Sequence, residues 1–424
     1  MTTLQDCQSR DQQDPLRNLR DLFTLPDGVI YLDGNSLGAM PAAAPARIAQ
    51  ATTDEWGQQL IRAWNTAGWF DMPQRVGNKI ARLVGADAGE LVATDGTSVN
   101  LFKVLSAALT IAHETSPERR VVLSERSNFP TDLYIAEALC KERGYTLRLI
   151  EPEELVTALD QQVAVLMLTQ VNYRTGAMHP MSQVSAIAHA AGALTVWDLA
   201  HSAGAVPVAL KADGADFAIG CGYKYLNGGP GAPSFVWVHP RHAERFWQPL
   251  AGWWGHATPF DFTPDYRPAP GTQRYLCGTQ PILSMVGLEV GVDTLLAAEP
   301  LGGMAALRAK SLALTDLFIE LVEARCGGHG LSVVTPRDHA RRGSQVSLSR
   351  QDGAYAIVQA LIARGVIGDF RKGNGPRHPD ILRFGFTPLY VGFEDVWHAV
   401  EHLRQVLDSG EWQRPEFNQA HAVT

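Results

Sequence analysis

Between about residue 85 and about residue 290 the chain repeats one pattern, a short apolar run followed by a longer helical stretch. Arg120-Val-Val-Leu123, Val163-Ala-Val-Leu-Met-Leu168, Leu194-Thr-Val-Trp197 and Phe217-Ala-Ile219 read as strands. Asp132 to Arg143 and Ser182 to Ala191 read as helices between them, the second closed by Gly192. Strands apolar on both sides must be covered on both sides. Their alternation with helices therefore predicts an α/β fold with a mostly parallel central sheet covered by helices. Such sheets bind ligands beyond the carboxyl ends of their strands. Asn128, Thr169, Asp198 and Lys224 all fall at or just after those ends.

The pattern changes after residue 290. Leu314, Leu317, Phe318, Leu321 and Val322 share one face of a helix that Gly327 and Gly328 stop. Strands follow at Leu331 to Val334, Gln345 to Ser349, Val366 to Phe370 and Ile381 to Phe386, with helices at Ala354 to Arg364 and Phe393 to Leu407. This predicts a smaller α+β domain. The expected organisation is an N-terminal arm over residues 1–35, a large domain over 36–300 and a small C-terminal domain over 301–424. Lys372 to Pro379 reads as an exposed loop.

Composition removes several function classes. The 424 residues are 46% hydrophobic and 19% charged, with a net charge of -8 and no basic block. Nucleic acid and anionic membranes are therefore not expected partners. The start, Met1 to Asp14, is polar and lacks the apolar core of a secretion signal. Five scattered cysteines include no C-x-x-C pair, so neither disulfides nor a metal site is expected, and a cytoplasmic location fits.

The chemistry concentrates around Lys224. It follows the strand Phe217-Ala-Ile219, lies between Tyr223 and Tyr225, and precedes Asn227-Gly-Gly-Pro-Gly231. An amine in so confined a turn is better explained as a Schiff-base former than as a solvated charge. Asp198 ends the preceding strand, where a carboxylate can keep a pyridine nitrogen protonated. Together they point to pyridoxal phosphate (PLP). His201, three residues after Asp198, has a plausible place beside the same group. Thr94-Asp-Gly-Thr-Ser98 opens the helical run Val99 to Leu109, an arrangement suited to a phosphate. In Ser127-Asn-Phe-Pro-Thr-Asp132, Phe129 can cover a flat ring or pack in a core, and Asp132 can cap a helix or touch the cofactor. Trp56, Trp64, Trp69 and the pair Trp253-Trp254 suggest an aromatic substrate. Arg383 interrupts the apolar strand Ile381-Leu-Arg-Phe-Gly-Phe386, as either a solvent-facing edge residue or a carboxylate clamp.

These segments resemble the bacterial kynureninases, homodimeric fold-type-I PLP enzymes of the aminotransferase superfamily. The resemblance rests on Tyr31-Leu-Asp-Gly-Asn-Ser-Leu-Gly38, Ser127-Asn-Phe-Pro-Thr-Asp-Leu-Tyr134, Trp197-Asp-Leu-Ala-His-Ser-Ala-Gly204, Tyr223-Lys-Tyr-Leu-Asn-Gly-Gly-Pro-Gly231, Tyr275-Leu-Cys-Gly-Thr-Gln-Pro281 and Leu382-Arg-Phe-Gly-Phe-Thr-Pro-Leu-Tyr390. It implies hydrolysis of L-kynurenine, and of 3-hydroxykynurenine as a possible second substrate, to anthranilates and L-alanine in tryptophan catabolism. It makes Lys224 the Schiff-base lysine, Asp198 the partner of the ring nitrogen and Tyr223 a general acid or base. A basic role would need the Tyr223 phenol lowered. Phe129 would stack on the ring. Thr97, Ser98, Tyr223 and Thr279 would surround the phosphate, Thr279 coming from the second subunit. Pro130, Thr131, Asp132, Thr169, His201 and Trp253 complete the implied cofactor set. Arg383 would take the substrate carboxylate, and Trp64, Trp253 and Trp254 its aromatic ring. Two departures stand out: Gly96, where relatives are expected to carry a hydroxyl, and the 372–379 loop, which reads as an insertion.

Rival readings remain. A cysteine desulfurase or aminotransferase would share the fold, the former needing a nucleophilic cysteine such as Cys277 or Cys326. A non-catalytic binder that kept the fold would bind PLP without turnover. A Rossmann dehydrogenase is disfavoured, because no G-x-G-x-x-G follows the early strands.

Overall fold

The apolar runs of the first half pair into one sheet. The structure is a computed structural model that describes residues 2–375 and 378–419. Seven strands form the sheet: β1 (Leu91–Thr94), β2 (Val121–Glu125), β3 (Thr146–Ile150), β4 (Val163–Thr169), β5 (Leu194–Asp198), β6 (Phe217–Gly220) and β7 (Ser234–Val238). Their order is β1-β7-β6-β5-β4-β2-β3. From β6 to β3 all neighbours are parallel. β7 alone runs antiparallel, to both β6 and β1. Every residue of β1, β2, β4, β6 and β7 is buried, the burial that runs apolar on both sides demand. The Thr97–Thr115 helix lays Leu101, Val104, Leu105 and Ala108 against Val122, Val165, Val196 and Phe217 of the sheet.

The chain divides into two compact units. The larger holds Ala44–Asn172 and His179–Asp293, and with them the seven-stranded sheet. The smaller holds Met1–Ala43, Tyr173–Met178 and Thr294–Thr424. Its antiparallel sheet contains β8 (Ser332–Val333), β9 (Gln345–Ser349), β10 (Asp369–Arg371) and β11 (Ile381–Gly385), in the order β8-β9-β11-β10. The helices Gly303–Arg325, Ala354–Ala363 and Phe393–Ser409 complete it.

Most expected elements are present within one to three residues at their ends, and the helix read around Leu314 extends over Gly303–Arg325. One expectation fails. The single strand read over Val366 to Phe370 is two: Val366–Ile367 pairs in parallel with Ile30–Tyr31, while Asp369–Arg371 joins the four-stranded sheet. Gly368 makes the switch. A side chain there would meet the Phe384 ring at 2.8 Å, so only glycine lets the chain pass so close to β11. Within the loop expected over Lys372 to Pro379, Pro376 and Arg377 lie outside the described residues.

Candidate active site

Strand register builds the centre of the site. Thr169 pairs with Asp198 and Asp198 with Ile219, so β4, β5 and β6 end side by side. The chain leaves β6 through Cys221-Gly222-Tyr223-Lys224. A Cβ on Gly222 would lie 2.0 Å from the Pro233 carbonyl oxygen, so glycine is needed for the lysine turn to fold back on the β7 entry. Lys224 Nζ then lies 3.1 Å from His201 Nε2, 5.8 Å from the Phe129 ring centroid and 5.9 Å from that of Tyr223. Residues from three separate segments thus meet at one amine.

Two acids lie near enough to feel the charge of Lys224. Asp198 is buried and accepts the Ala200 amide at 2.8 Å. Asp132, also buried, starts the Pro130–Arg143 helix two residues after Pro130 and one after Thr131. Burial pushes both carboxyls up, and the charge of Lys224 opposes this in each. Asp198 raises Asp132 further, while Asp132 draws Asp198 down. A buried carboxylate next to a neutral acid is a good partner for a cationic ring nitrogen. Thr169 Oγ1 donates to Asn128 Oδ1, which also accepts the Phe129 amide at 2.7 Å. Asn128 Nδ2 in turn donates to Ser124 Oγ at 3.0 Å. Phe129 is anchored through its amide by this chain and remains 40% exposed, so it is not spent in the core.

The Thr97–Thr115 helix provides an anion cup. Its N-cap is Gly96, which has no side chain to satisfy the first amides. Ser98 is exposed at this end. Thr97 Oγ1 faces the sheet, 2.9 Å from Ser234 Oγ and 3.1 Å from Cys221 Sγ. A helix start with free amides and hydroxyls favours a dianion. Thr279 is exposed, and its neighbour Gln280 accepts the Asp95 amide at 3.2 Å. Burial, and after it the Cys221 thiol, pushes the Tyr223 phenol up. The lowered phenol needed for a basic role is therefore not what this environment produces; it keeps Tyr223 protonated.

Trp64, Trp69, Trp253 and Trp254 form one cluster in the larger unit, while Trp56 stands exposed. Trp64 meets Trp254 edge-on at 5.2 Å and Trp253 at 6.4 Å. Trp254 is buried and stacks with Trp253 at 5.1 Å, so it backs the wall while Trp253, 38% exposed, surfaces it. Sequence reading missed three members, one of them Phe260, whose ring lies 5.5 Å from Phe70 and 6.2 Å from Trp253. Phe70 stacks on Trp254 at 5.6 Å, and buried Glu55 accepts from Trp69 Nε1 at 2.9 Å. The acidic pair Asp54-Glu55 just before Trp56 was the available signal.

Arg383 lies in the smaller unit and is buried, which removes the reading as a solvent-facing edge residue. Its Nε donates to Asp369 Oδ1 at 2.7 Å, its Nη2 to Asp369 Oδ2 and to Ser36 Oγ at 2.7 Å, and its Nη1 to the Tyr173 carbonyl at 2.7 Å. Arg371 pairs with the same Asp369 at 2.5 Å. Asp369, Arg371 and Ser36 were not singled out from sequence. The alternation of Asp369 and Arg371 on a short strand was the signal, masked by reading that strand as continuous with Val366. Among the described residues no His, Cys, Asp or Glu cluster could hold a metal, and no helix is long and apolar enough to cross a membrane.

The larger unit can therefore hold a flat heterocycle with a cationic nitrogen and a phosphate, with an amine placed to bond it. Comparisons with known proteins agree on the family. Residues 307–403 match the model of the kynureninase C-terminal domain. The kynureninase of Pseudomonas fluorescens is 58% identical over all of both chains, and that of Burkholderia pseudomallei (strain 1106a) 56% over all of both. Among solved structures, the apo cysteine desulfurase of Thermococcus onnurineus superposes with a TM-score of 0.78 at 19% identity, covering 92% of this chain and 98% of its own. The Escherichia coli cysteine desulfurase CsdA gives 0.76 at 19%, over 93% and 98%. At such identities the desulfurases speak for the fold alone.

Proposed function

The chain belongs to the kynureninase family, and from that premise we propose that it uses pyridoxal phosphate to hydrolyse L-kynurenine to anthranilate and L-alanine. The observation that carries the cofactor reading is the Lys224 amine set near both buried acids, Asp132 and Asp198, and 5.8 Å from the Phe129 ring centroid. The residues fit the group: a carboxylate for the ring nitrogen, a ring for its face and an uncapped helix for its phosphate.

Bound PLP supplies an electron sink for charge that develops at the substrate Cα. The chain supplies the rest. Lys224 holds the cofactor and, once the substrate amine displaces it, carries a proton from Cα. Asp198 keeps positive charge on the ring nitrogen, and protonated Asp132 supports Asp198. Tyr223, which keeps its proton in this environment, serves as the acid near the reacting carbons. Water supplies the new carboxyl oxygen of anthranilate. The Cβ–Cγ bond breaks toward Cβ, which takes a proton to become the methyl group of alanine. His201 orients the Lys224 amine. Trp64 and Trp253 receive the aromatic ring, with Trp254 behind them. Arg383 takes the α-carboxylate.

We assign the working form as a homodimer. Trp56, Leu60 and Ile61 stand exposed in one segment, Ile61 at 76%, an apolar strip suited to a second copy. On this reading exposed Thr279 serves the phosphate of the partner.

A desulfurase finds little support here. Cys326 is buried and its thiol is pushed up to about 11, an inert position. The test is direct. The purified chain, supplied with PLP, should release fluorescent anthranilate from L-kynurenine, and Lys224→Ala should abolish this together with the visible absorbance of the lysine-bound cofactor. A parallel run with 3-hydroxykynurenine ranks the two substrates. PLP binding without turnover of either would overturn the substrate reading, and alanine released from cysteine would replace it.

A further inference from the structure

One buried cation has no part in the chemistry so far. Lys103 lies in the Thr97–Thr115 helix, in the apolar run Leu101-Phe-Lys-Val-Leu105, and is 0% exposed. An ammonium withdrawn from water costs several kcal/mol unless well paired. Lys103 Nζ pairs with the Asp95 carboxylate and donates to the Tyr275 carbonyl at 2.6 Å.

Asp95 is itself unusual. Its φ is +41°, in the left-handed region that a residue with a side chain adopts only when its surroundings hold it there. Four groups do so. Oδ2 accepts from Lys103 and from Thr94 Oγ1, the latter at 2.9 Å. The amide donates to Gln280 Oε1 at 3.2 Å, and the carbonyl accepts from the Ser234 amide at 2.8 Å. Gly96 follows at once, and the helix begins at Thr97. The turn at Asp95 thus sets where the first amides of the helix point. The second anchor of Lys103, Tyr275, closes the turn Gly271–Tyr275 that leads to Thr279 and Gln280. One ammonium fastens both segments that, on the reading above, meet the phosphate.

We infer that Lys103 is the positioning residue of the cofactor's phosphate cup: its pair with Asp95 holds the turn that aims the helix amides and ties that turn to residues 275–280. The inference rests on the PLP assignment. Comparing PLP with pyridoxal separates the two, since both aldehydes can react with Lys224 and only PLP carries a phosphate. The apo chain is titrated with each while visible absorbance is followed. Lys103→Met should weaken PLP at least about tenfold, or about 1.4 kcal/mol, and leave pyridoxal within about twofold, so the affinity ratio falls. Lys103→Met leaves the Asp95 carboxylate without its cation; the double variant Lys103→Met/Asp95→Asn removes both charges and carries the same expectation. An unchanged ratio in a folded variant overturns this inference alone. If the native chain forms no absorbing complex with either aldehyde, the cofactor reading falls and this inference with it.

Discussion

Asp132 and Asp198 act on each other: the charge of Asp198 pushes the buried Asp132 carboxyl further up, while Asp132 draws Asp198 down. At Asp132 burial is joined by the charge of Asp198, while Asp198 is drawn down by Lys224 and by the Ala200 amide, so the two environments favour the neutral form at Asp132 and the charged form at Asp198. An asparagine at 132 is likewise neutral, whereas an asparagine at 198 removes the charge that faces the ring nitrogen. Asp198→Asn should therefore cost about a hundredfold or more in kcat/KM, within the range for cutting a buried charge pair. Asp132→Asn should cost less than about tenfold. Equal losses in steady-state kinetics would mean that both carboxylates are ionised in the working enzyme.

Arg383 is held by an acid, and on the proposed reading it receives the carboxylate of the substrate. Asp369 takes its Nε and Nη2, which aligns the guanidinium and leaves one Nη1 proton beyond the bond to Tyr173. Arg383→Ala should lower kcat/KM by roughly 2–5 kcal/mol and also destabilise the chain, because Asp369 loses a buried partner. Arg383→Lys keeps a cation beside Asp369 and should recover much of the thermal stability while recovering little of the activity, since a lysine cannot present a fork. A decarboxylated substrate analogue should bind native and variant alike. Unchanged kinetics in both variants would place the substrate carboxylate elsewhere.

The contrast between these two sites shows what a sequence displays. Asp198, His201 and Lys224 were legible because each follows a strand with a clear apolar pattern, and parallel strands bring such ends together. Tyr223 was legible as a neighbour, but its raised phenol was not, because that depends on burial and on Cys221. Arg383 stood out as a charge within an apolar strand. Its partners Asp369, Ser36 and Tyr173 come from segments up to 347 positions away and carry no local pattern. Three whole strands of the central sheet, β1, β3 and β7, went unread: β1 and β7 are short, fully buried and next to a glycine- or proline-rich turn, and β3, at the sheet edge, is only partly buried and carries Arg148 in its middle. The antiparallel β7 could not be inferred from alternation of strand and helix, because no helix separates it from β6.

Asp33 makes stability depend on pH. Burial, and after it the neighbouring Asp369, pushes its carboxyl up to about 7, while Arg383 draws it down. A carboxyl raised in the fold contributes stability that is complete below its unfolded pKa of about 4 and is lost as pH rises through about 7. Asp33→Asn is neutral throughout. The melting temperature of the variant relative to the native chain should therefore climb between about pH 5 and pH 8, with no climb expected from any group common to both. A difference that stays flat over that range would mean Asp33 is already ionised at the acid end.

The N-terminal helix Leu4–Gln13 caps a helix from the other end of the chain. Asp11 accepts the amides of Phe393 and Glu394 at 2.7 and 2.8 Å, at the start of Phe393–Ser409, whose own N-cap is Gly392. A carboxylate there satisfies two orphan donors and meets the positive end of the helix. Asp11→Ala should cost about 1–2 kcal/mol in chemical denaturation, and Asp11→Asn about half of that, since the side chain keeps an acceptor but loses the charge. A loss seen equally in both variants would assign the effect to charge alone.

Gly96 offers a gain rather than a loss. Its φ of -92° suits any residue, and a Cβ built on it meets nothing within 4 Å. The site therefore accepts serine without strain. A serine hydroxyl at this N-cap can bond an amide of the first turn or a phosphate oxygen placed against it, one hydrogen bond worth about 1 kcal/mol in either case. Gly96→Ser should tighten PLP several-fold in titrations of the apo chain and leave pyridoxal unchanged. Should it instead raise the melting temperature while PLP affinity falls, the hydroxyl has capped the helix and taken the amides that the phosphate needs, and the glycine is there to keep them free.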